Sequence, residues 1–306
     1  MNKTNQQSLT IDSEPAGVRL DAFLAAHVPE VSRSAWKACI LDGRVRVNGD
    51  DVKPNRKLSK GDTVEWMLPA AIPAKAIPEN IPLHILFEDA SVIVLNKPAG
   101  LVVHPAVGNS SGTLLHGLLF HEPSLHALER AGIVHRLDKD TSGVMVVAKN
   151  EAAQMTLQQQ FRDRTTKKEY LALVWGEPPA TGKIETLLGR HPVHRKKQAV
   201  LQEEGRQAVT HYTRLETFEE TALMRIGLET GRTHQIRVHM AHIGHPVVGD
   251  RVYGRARKNR LPLVPDRQML HAARLEFNHP QSGKRLSFEA PLHDDMRLLL
   301  EALRKN

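Results

Sequence analysis

Residues 132–143 read Gly-Ile-Val-His-Arg-Leu-Asp-Lys-Asp-Thr-Ser-Gly, and Val144-Met145-Val146-Val147-Ala148 follow them. The apolar run predicts a buried strand. A charged loop that feeds a core strand presents a carboxylate at the edge of a cleft on a rigid support. Asp140, Thr141 and Ser142 fit an ordinary turn whose side chains bond local backbone. Asp138 does not fit that role, because Arg136 and Lys139 flank it and apolar sequence brackets the whole stretch.

Downstream, residues 151–164 predict an amphipathic helix with Met155, Leu157 and Phe161 as its large apolar residues, and Arg162 and Arg164 near its C-terminus, where the dipole favours cations. In the strand predicted over 167–175, Tyr170, Ala172 and Val174 share one face, and Leu171, Leu173 and Trp175 the other. A tyrosine at a strand start is ordinarily half-buried core. Residues 229–242 read Glu-Thr-Gly-Arg-Thr-His-Gln-Ile-Arg-Val-His-Met-Ala-His. Thr233 is a natural N-cap for a helix whose face includes Ile236, Met240 and Ile243. His234 and Arg237, three apart, share another face. An arginine so early in a helix meets the unfavourable end of the dipole, so a nearby carboxylate would help it. Basic loops at 190–197 and 251–260 are candidates to follow a nucleic-acid backbone.

Upstream, Ile85–Glu88 and Val92–Leu95 predict two strands, and the segment 108–112 reads as a plain turn. Leu114, Leu115, Leu118 and Leu119 mark a core helix that Thr113 can cap. Residues 69–82 contain four prolines and predict a semi-rigid linker. Before it, Leu20, Phe23, Leu24 and Val28 form the apolar face of a short helix ended by Pro29. Ser32 can cap a second helix with a Trp36, Cys39, Ile40 stripe. Short strands at Val45–Val47 and Thr63–Met67 follow, and Asn48-Gly49 signals a tight turn. This module carries nine Lys and Arg against seven acids, a net charge of only +2, so nucleic-acid binding there depends on clustering.

The composition bounds the partners. Hydrophobic residues at 41% and charged residues at 25% describe a globular chain. The longest apolar runs fall far short of the ~20 residues that span a bilayer. The polar start lacks the apolar core of a signal peptide. Cys39 is the sole cysteine, which excludes an internal disulfide and a cysteine-rich zinc site, so a cytoplasmic location is expected. A net charge of +8 with a pI near 9.6 makes a polyanionic partner plausible. His239, His242 and His245 invite a metal reading, but no His-Glu-x-x-His occurs, and no metal is expected.

His-Arg-Leu-Asp followed by Thr-Ser-Gly at 135–143 resembles the signature of the RluA-type pseudouridine synthases. Three further stretches are similar to family segments: Lys97-Pro98 through His104-Pro105, Lys168-Glu169-Tyr170, and Gly231 through His239. The resemblance covers nearly all of the chain beyond residue 15. It implies an α+β architecture with an S4-like RNA-binding domain over 17–68, and residues 1–16 are expected to be a flexible tail. The linker over 69–82 then leads to a synthase domain over 83–306, built on a mixed, mainly antiparallel sheet with flanking helices. It implies Asp138 as catalytic aspartate, Arg237 as its partner, and Tyr170 lying under the target base. It also implies that Ile236 packs near the uracil and that Arg136 moves into the space the base vacates. His135, Lys97, Arg232 and His234, which fall in the matched motifs, are expected to bind substrate. Residues 249–254 and 271–277 match the family again and read as scaffold.

Uridine isomerisation needs no redox step, cofactor or metal. Asp138 would act as nucleophile or as a base on the ribose, and Arg237 would supply its counter-charge and orientation. The implied partner is large-subunit ribosomal RNA, at the helix 69 stem-loop, free or in an assembling ribosome; the protein is expected to be a monomer with no membrane association. One rival is a non-catalytic RNA chaperone or ribosome-assembly factor, and another is a pseudouridine synthase of the same family with a different rRNA or tRNA target. An aspartic hydrolase is set aside, because Asp140-Thr141-Ser142-Gly143 carries one residue too many for that motif and has no second copy.

Overall fold

The computed structural model describes residues 6–12, 17–28, 31, 33–67, 76–106, 109–194, 197–254 and 261–305. The chain divides into two compact units, Met1–Ala76 and Ile77–Asn306.

In the first unit, strands β1 (Gln6–Thr10), β2 (Val45–Val47), β3 (Asp50–Asp51) and β4 (Thr63–Met67) form a sheet in the order β1-β4-β2-β3. Helices α1 (Leu20–His27) and α2 (Arg33–Leu41) supply the apolar stripes read from the sequence. Leu20, Leu24, Trp36 and Ile40 are buried with Val45, Val47, Val64 and Trp66 in one core, where Trp36 and Trp66 meet edge to face at 6.1 Å. Asn48 and Gly49 take the left-handed φ values, 57° and 83°, that a two-residue hairpin turn requires. Residues 1–16, read as a flexible tail, instead contribute a strand: β1 pairs antiparallel with β4, and Ile11 enters the core. A five-residue edge strand with so few apolar side chains leaves little periodic signal. The proposed Ser32 cap lies outside the described residues, as does the first half of the Pro-rich stretch, residues 69–75.

The second unit is organised on a ten-stranded sheet. Its strands are β5 (His84–Glu88), β6 (Val92–Lys97), β7 (Ser142–Ala148), β8 (Lys167–Trp175), β9 (Thr181–Arg190), β10 (Gln198–Leu201), β11 (Arg206–Thr217), β12 (Thr221–Leu228), β13 (Leu270–Asn278) and β14 (Arg285–Glu289). The order is β10-β9-β11-β12-β8-β13-β7-β6-β5, with β14 on β13, and every pairing is antiparallel except β13 with β7. Four helices accompany it: α3 (Leu114–His121), α4 (Glu151–Arg162), α5 (Gln235–His242) and α6 (Asp294–Leu303).

The period-2 pattern of β8 divides two cores as expected. Ala172 and Val174 pack with Ile236 and Met240 of α5, whereas Leu173 and Trp175 pack with Met296, Leu299 and Leu300 of α6. The buried β7 run packs on Ala153 and Leu157 of α4. Two local expectations fail. Met155 is 64% exposed, because Leu157 and Ala153 already occupy the face of α4 that meets the sheet. The N-cap of α5 is His234, in the left-handed region at φ 58°, not Thr233.

Strand registry brings distant segments into one row. Ile226 of β12 lies opposite Tyr170 of β8, Tyr170 opposite Ala272 of β13, and Ala272 opposite Gly143 of β7. Gly143 has φ +122°, and a Cβ there would lie 2.2 Å from the Ala272 carbonyl oxygen. Gly143→Ala should therefore cost roughly 3 kcal/mol or more through strain and overpacking. The urea midpoint checks this; an unchanged midpoint would mean that β7 and β13 approach less closely than described.

Candidate active site

The loop that carries Asp138 is held by its carbonyls. Lys97 Nζ donates to Pro98 O at 2.7 Å and to Leu101 O and Lys139 O at 2.9 Å. Arg267 Nη1 donates to Asp140 O at 2.8 Å, and Asp295 of α6 holds Arg267 in a two-point contact at 2.6 and 2.7 Å. Thr141 N closes the turn onto Asp138 O at 3.1 Å, and Ser142 Oγ bonds His271 Nδ1 at 2.9 Å. Lys97, expected to bind substrate, is fully buried and faces the back of this loop. Burial pushes its ammonium down to about 7, with the Asp140 charge opposing. Three carbonyl acceptors match the three donors of the protonated form.

His135 is also tied to the fold. Its Nε2 accepts from Val146 N at 3.0 Å, and its ring stacks on Phe161 at 4.7 Å. Burial, aided by the charge of Lys168, pushes it down to about 3, so it serves as a neutral acceptor.

Arg237 meets the Asp138 carboxylate from α5, with Nη1 3.1 Å from Oδ2. The other edge of the guanidinium is taken by Asp250, through Nε at 2.7 Å and Nη2 at 3.0 Å. The Asp250 side chain is fully enclosed and accepts from the amides of Val252 (2.8 Å) and Tyr253 (3.0 Å). Burial alone would disfavour both charges. The hydrogen bonds and charge of Asp250, with the charge of Asp138, nevertheless hold Arg237 above its ordinary value. Arg237 and the two amides likewise hold Asp250 below the usual carboxylate range, against its burial. Two carboxylates thus offset an arginine in the first turn of α5. His234 Nε2 stands 3.8 Å from Asp138 Oδ1, and its Nδ1 bonds the Tyr253 hydroxyl at 2.8 Å. Burial lowers the His234 pKa, Asp138 opposing.

Beside Asp138 lies a hollow of 100 Å³ walled by Tyr170, Leu228, Ile236 and Leu270, with Arg237 at its rim. Burial, reinforced by the Asp138 charge, raises the Tyr170 phenol, which therefore keeps its proton at neutral pH. Its hydroxyl bonds no other group among the described residues. Arg136, exposed and without an ion pair among the described residues, stands where the hollow meets a larger cleft of 620 Å³. Arg232 lies across from it, and its Nε donates to Gln207 O at 3.1 Å. Buried Gln235 pins the turn beneath, accepting from Arg232 N (3.0 Å) and donating to Val209 O (3.0 Å). The arrangement suits a flat heterocycle held between Tyr170 and aliphatic walls, with a carboxylate at its sugar edge.

The site thus gathers Asp138, Arg237, Tyr170, Ile236, Arg136, Arg232 and His234, and leaves out Lys97. Asp250, Tyr253, Gln235 and Arg267 join it without having been singled out in the sequence. The early-helix charge of Arg237 was the one sequence signal that called for a further acid. Among the described residues no group of three His, Cys, Asp or Glu could hold a metal ion. His239 is enclosed between Thr186 and Thr210.

Asp250→Asn should cost roughly 3–5 kcal/mol at neutral pH, since one partner of a buried pair is lost. Because the folded state depresses the pKa of Asp250, its stabilisation is present above the ordinary carboxylate range and disappears as pH falls through the folded value. Urea titrations at pH 7 and pH 3 should therefore converge for wild type and variant on acidification. A gap between the two that does not narrow would refute the linkage.

The family model for RNA pseudouridylate synthase matches residues 91–242, and that for the S4 domain matches residues 18–64. Ribosomal large subunit pseudouridine synthase D of Neisseria meningitidis serogroup A is 49% identical over 98% of this chain and 82% of its own. The protein of the same name from Xanthomonas campestris is 45% identical over 100% of this chain and 95% of its own. The solved structure of human RNA Pseudouridylate Synthase Domain Containing 1 is 27% identical with a TM-score of 0.56, covering 74% of this chain and 97% of that one. The chain belongs to the RNA pseudouridylate synthase family and is an RNA pseudouridine synthase, an isomerase, with an S4 domain ahead of its synthase domain.

Proposed function

We propose that this enzyme isomerises uridines of large-subunit ribosomal RNA, with Asp138 as the reacting carboxylate in the hollow floored by Tyr170. The observation that carries the reading is the 3.1 Å contact of Arg237 with Asp138 at the mouth of an apolar hollow. The name that the relatives share supports the RNA class. The S4-like module and the Arg190-His191-Pro192 loop support the helix 69 stem-loop as the target, free or in an assembling subunit. A monomer acting in the cytoplasm fits this reading.

In the reaction the C1′–N1 bond breaks, the uracil turns, C1′ bonds to C5, the C5 proton leaves and N1 takes up a proton; substrate and product are isomers. Asp138 acts on the ribose, by attack or by taking a proton, while Arg237 orients it. Tyr170, Leu228 and Ile236 hold the freed uracil against the sugar. As a phenol, Tyr170 gives stacking and a hydrogen bond; it cannot take the C5 proton without first losing its own. The uridine must leave its stack, at a cost of roughly a few kcal/mol. Arg136, unpaired and exposed at the junction of the two cavities, fills the vacated position.

Asp138→Asn should abolish isomerisation of an rRNA transcript while RNA affinity stays within about threefold, because the amide keeps the shape and loses the reactive oxygen. Pseudouridine mapping reads the outcome, and turnover at even about a tenth of the wild-type rate would remove Asp138 from the chemistry. Mapping in cells lacking the enzyme tests the target.

Arg237→Met should also lose nearly all activity, and Arg237→Lys should retain part of it, since charge survives without the planar fork. In a cycle of thermal melts, adding Asp138→Asn to Arg237→Met should cost less than Asp138→Asn costs the wild type. Strict additivity would show that the two side chains are not coupled.

A further inference from the structure

The cations expected to follow RNA at 190–197 and 251–260 lie partly outside the described residues. Two of those within them are already engaged. Lys197 Nζ donates to Val252 O at 3.0 Å, and Arg251 meets Asp266 at 3.4 Å. A different set has no acid to answer it. Beyond Tyr170 and Leu228 the hollow continues into a groove of 570 Å³ between the end of α4 and the turn at 229–232. Its walls carry Arg136, Arg162, Arg164, Lys168 and Arg232. Among the described residues none of the five forms an ion pair.

The acids nearby are committed elsewhere. Glu229 bonds His211 at 2.6 Å, Glu169 meets Arg225 at 3.5 Å, and Glu276 meets Arg274 at 2.9 Å. Asp163 accepts from the Gln159 amide at 2.8 Å and is not part of the groove wall. Lys168 Nζ comes within 4.0 Å of where a Cβ on Gly231 would stand, so it faces the turn that carries Arg232. Burial, then the charges of Arg164 and Arg232, push Lys168 down to about 8. Arg232 is lowered in the same way, by burial and by Arg206 and Arg164. Arg164 closes α4 at φ 60°, a conformation that favours glycine or asparagine, yet an arginine occupies it. Arg164, Lys168 and Arg232, crowded without acids, repel one another, and a bound polyanion relieves that repulsion.

We propose that this groove carries the phosphate backbone of the RNA strand on one side of the flipped uridine, with Arg162, Arg164, Lys168 and Arg232 facing its phosphates. The occupant is RNA because the groove opens directly from the hollow where the base sits, sharing Tyr170, Leu228, Gly231 and Arg232 with it. This rests on the reading of that hollow as the uridine site.

The test uses the full chain and an unmodified large-subunit rRNA transcript, with binding measured across a salt series. Arg164→Gly removes the guanidinium at a backbone position that glycine prefers, so its melting temperature should not fall. The slope of log K against log salt should drop by about 0.7 for each single-strand phosphate contact removed. Arg162→Ala with Arg164→Gly should lower it by about 1.4 and weaken binding about tenfold near 0.1 M salt, the loss falling on KM. Lys168→Met should act in the same direction. Lys305→Ala, exposed just after α6, which packs on the face of β8 opposite Tyr170, sets the baseline for losing one surface charge. Groove variants whose slope and affinity match that baseline overturn the proposal, as does an Arg164→Gly protein that binds weakly only because it melts lower. An active Asp138→Asn protein would instead overturn the reading of the hollow, whatever the groove variants do.

Discussion

One guanidinium answers two carboxylates. Arg237 presents its Nε and Nη2 edge to Asp250 and keeps Nη1 for Asp138, a division that only a planar, five-donor side chain can make. Asp250 is itself fixed by the amides of Val252 and Tyr253, so the chain of contacts starts at rigid backbone and ends at the Asp138 carboxylate. Residues 99 positions apart in the sequence are thereby locked together. The Arg237–Asp250 pair is buried, where an unanswered charge would be costly, so occupancy of both contacts is a condition of folding as well as of chemistry.

The sheet brings these groups within reach. Antiparallel order places the end of β12 beside the start of β8, and the brief parallel pairing of β13 with β7 sets Gly143 in the same row as Tyr170. The floor of the hollow and the root of the Asp138 loop are therefore neighbours by registry. Close approach at Gly143 is the steric condition for that registry. Helix α5 covers the row and lowers Arg237 onto it from the other side, with Ile236 and Met240 in the core below.

Groups whose role is written in local pattern were legible. Asp138 stood out between cations in a loop feeding a buried strand, and the alternation in β8 divided its two cores. Arg237 and His234 were assigned a common face, and both meet Asp138. What the sequence hid was long-range pairing. Asp250 and Arg267 look like ordinary surface charges until the fold supplies their partners, and Lys97 read as a substrate contact because its motif borders the cleft while its burial is set by strands elsewhere. His135 is held by a backbone amide and by Phe161 while it also lines the groove beyond Tyr170, a double role that local sequence does not show. The strand at Gln6–Thr10 was missed because its stability comes from β4, and Met155 because a helix of this length can turn either of two weakly apolar faces inward. The unpaired cations around Lys168 come from α4, β8 and the turn after β12, so no window of sequence contains them together.

The loop bearing Asp138 is gripped through main-chain oxygens, by Lys97 on Lys139 and by Arg267 on Asp140. Backbone oxygens are the same whatever residue occupies the position. The grip therefore needs no particular side chain at position 139, on the wall of the larger cleft, whereas the Asp140 carboxylate helps to keep Lys97 protonated. A substitution at position 139 can thus reshape the cleft wall and leave the main-chain hold on the Asp138 loop in place.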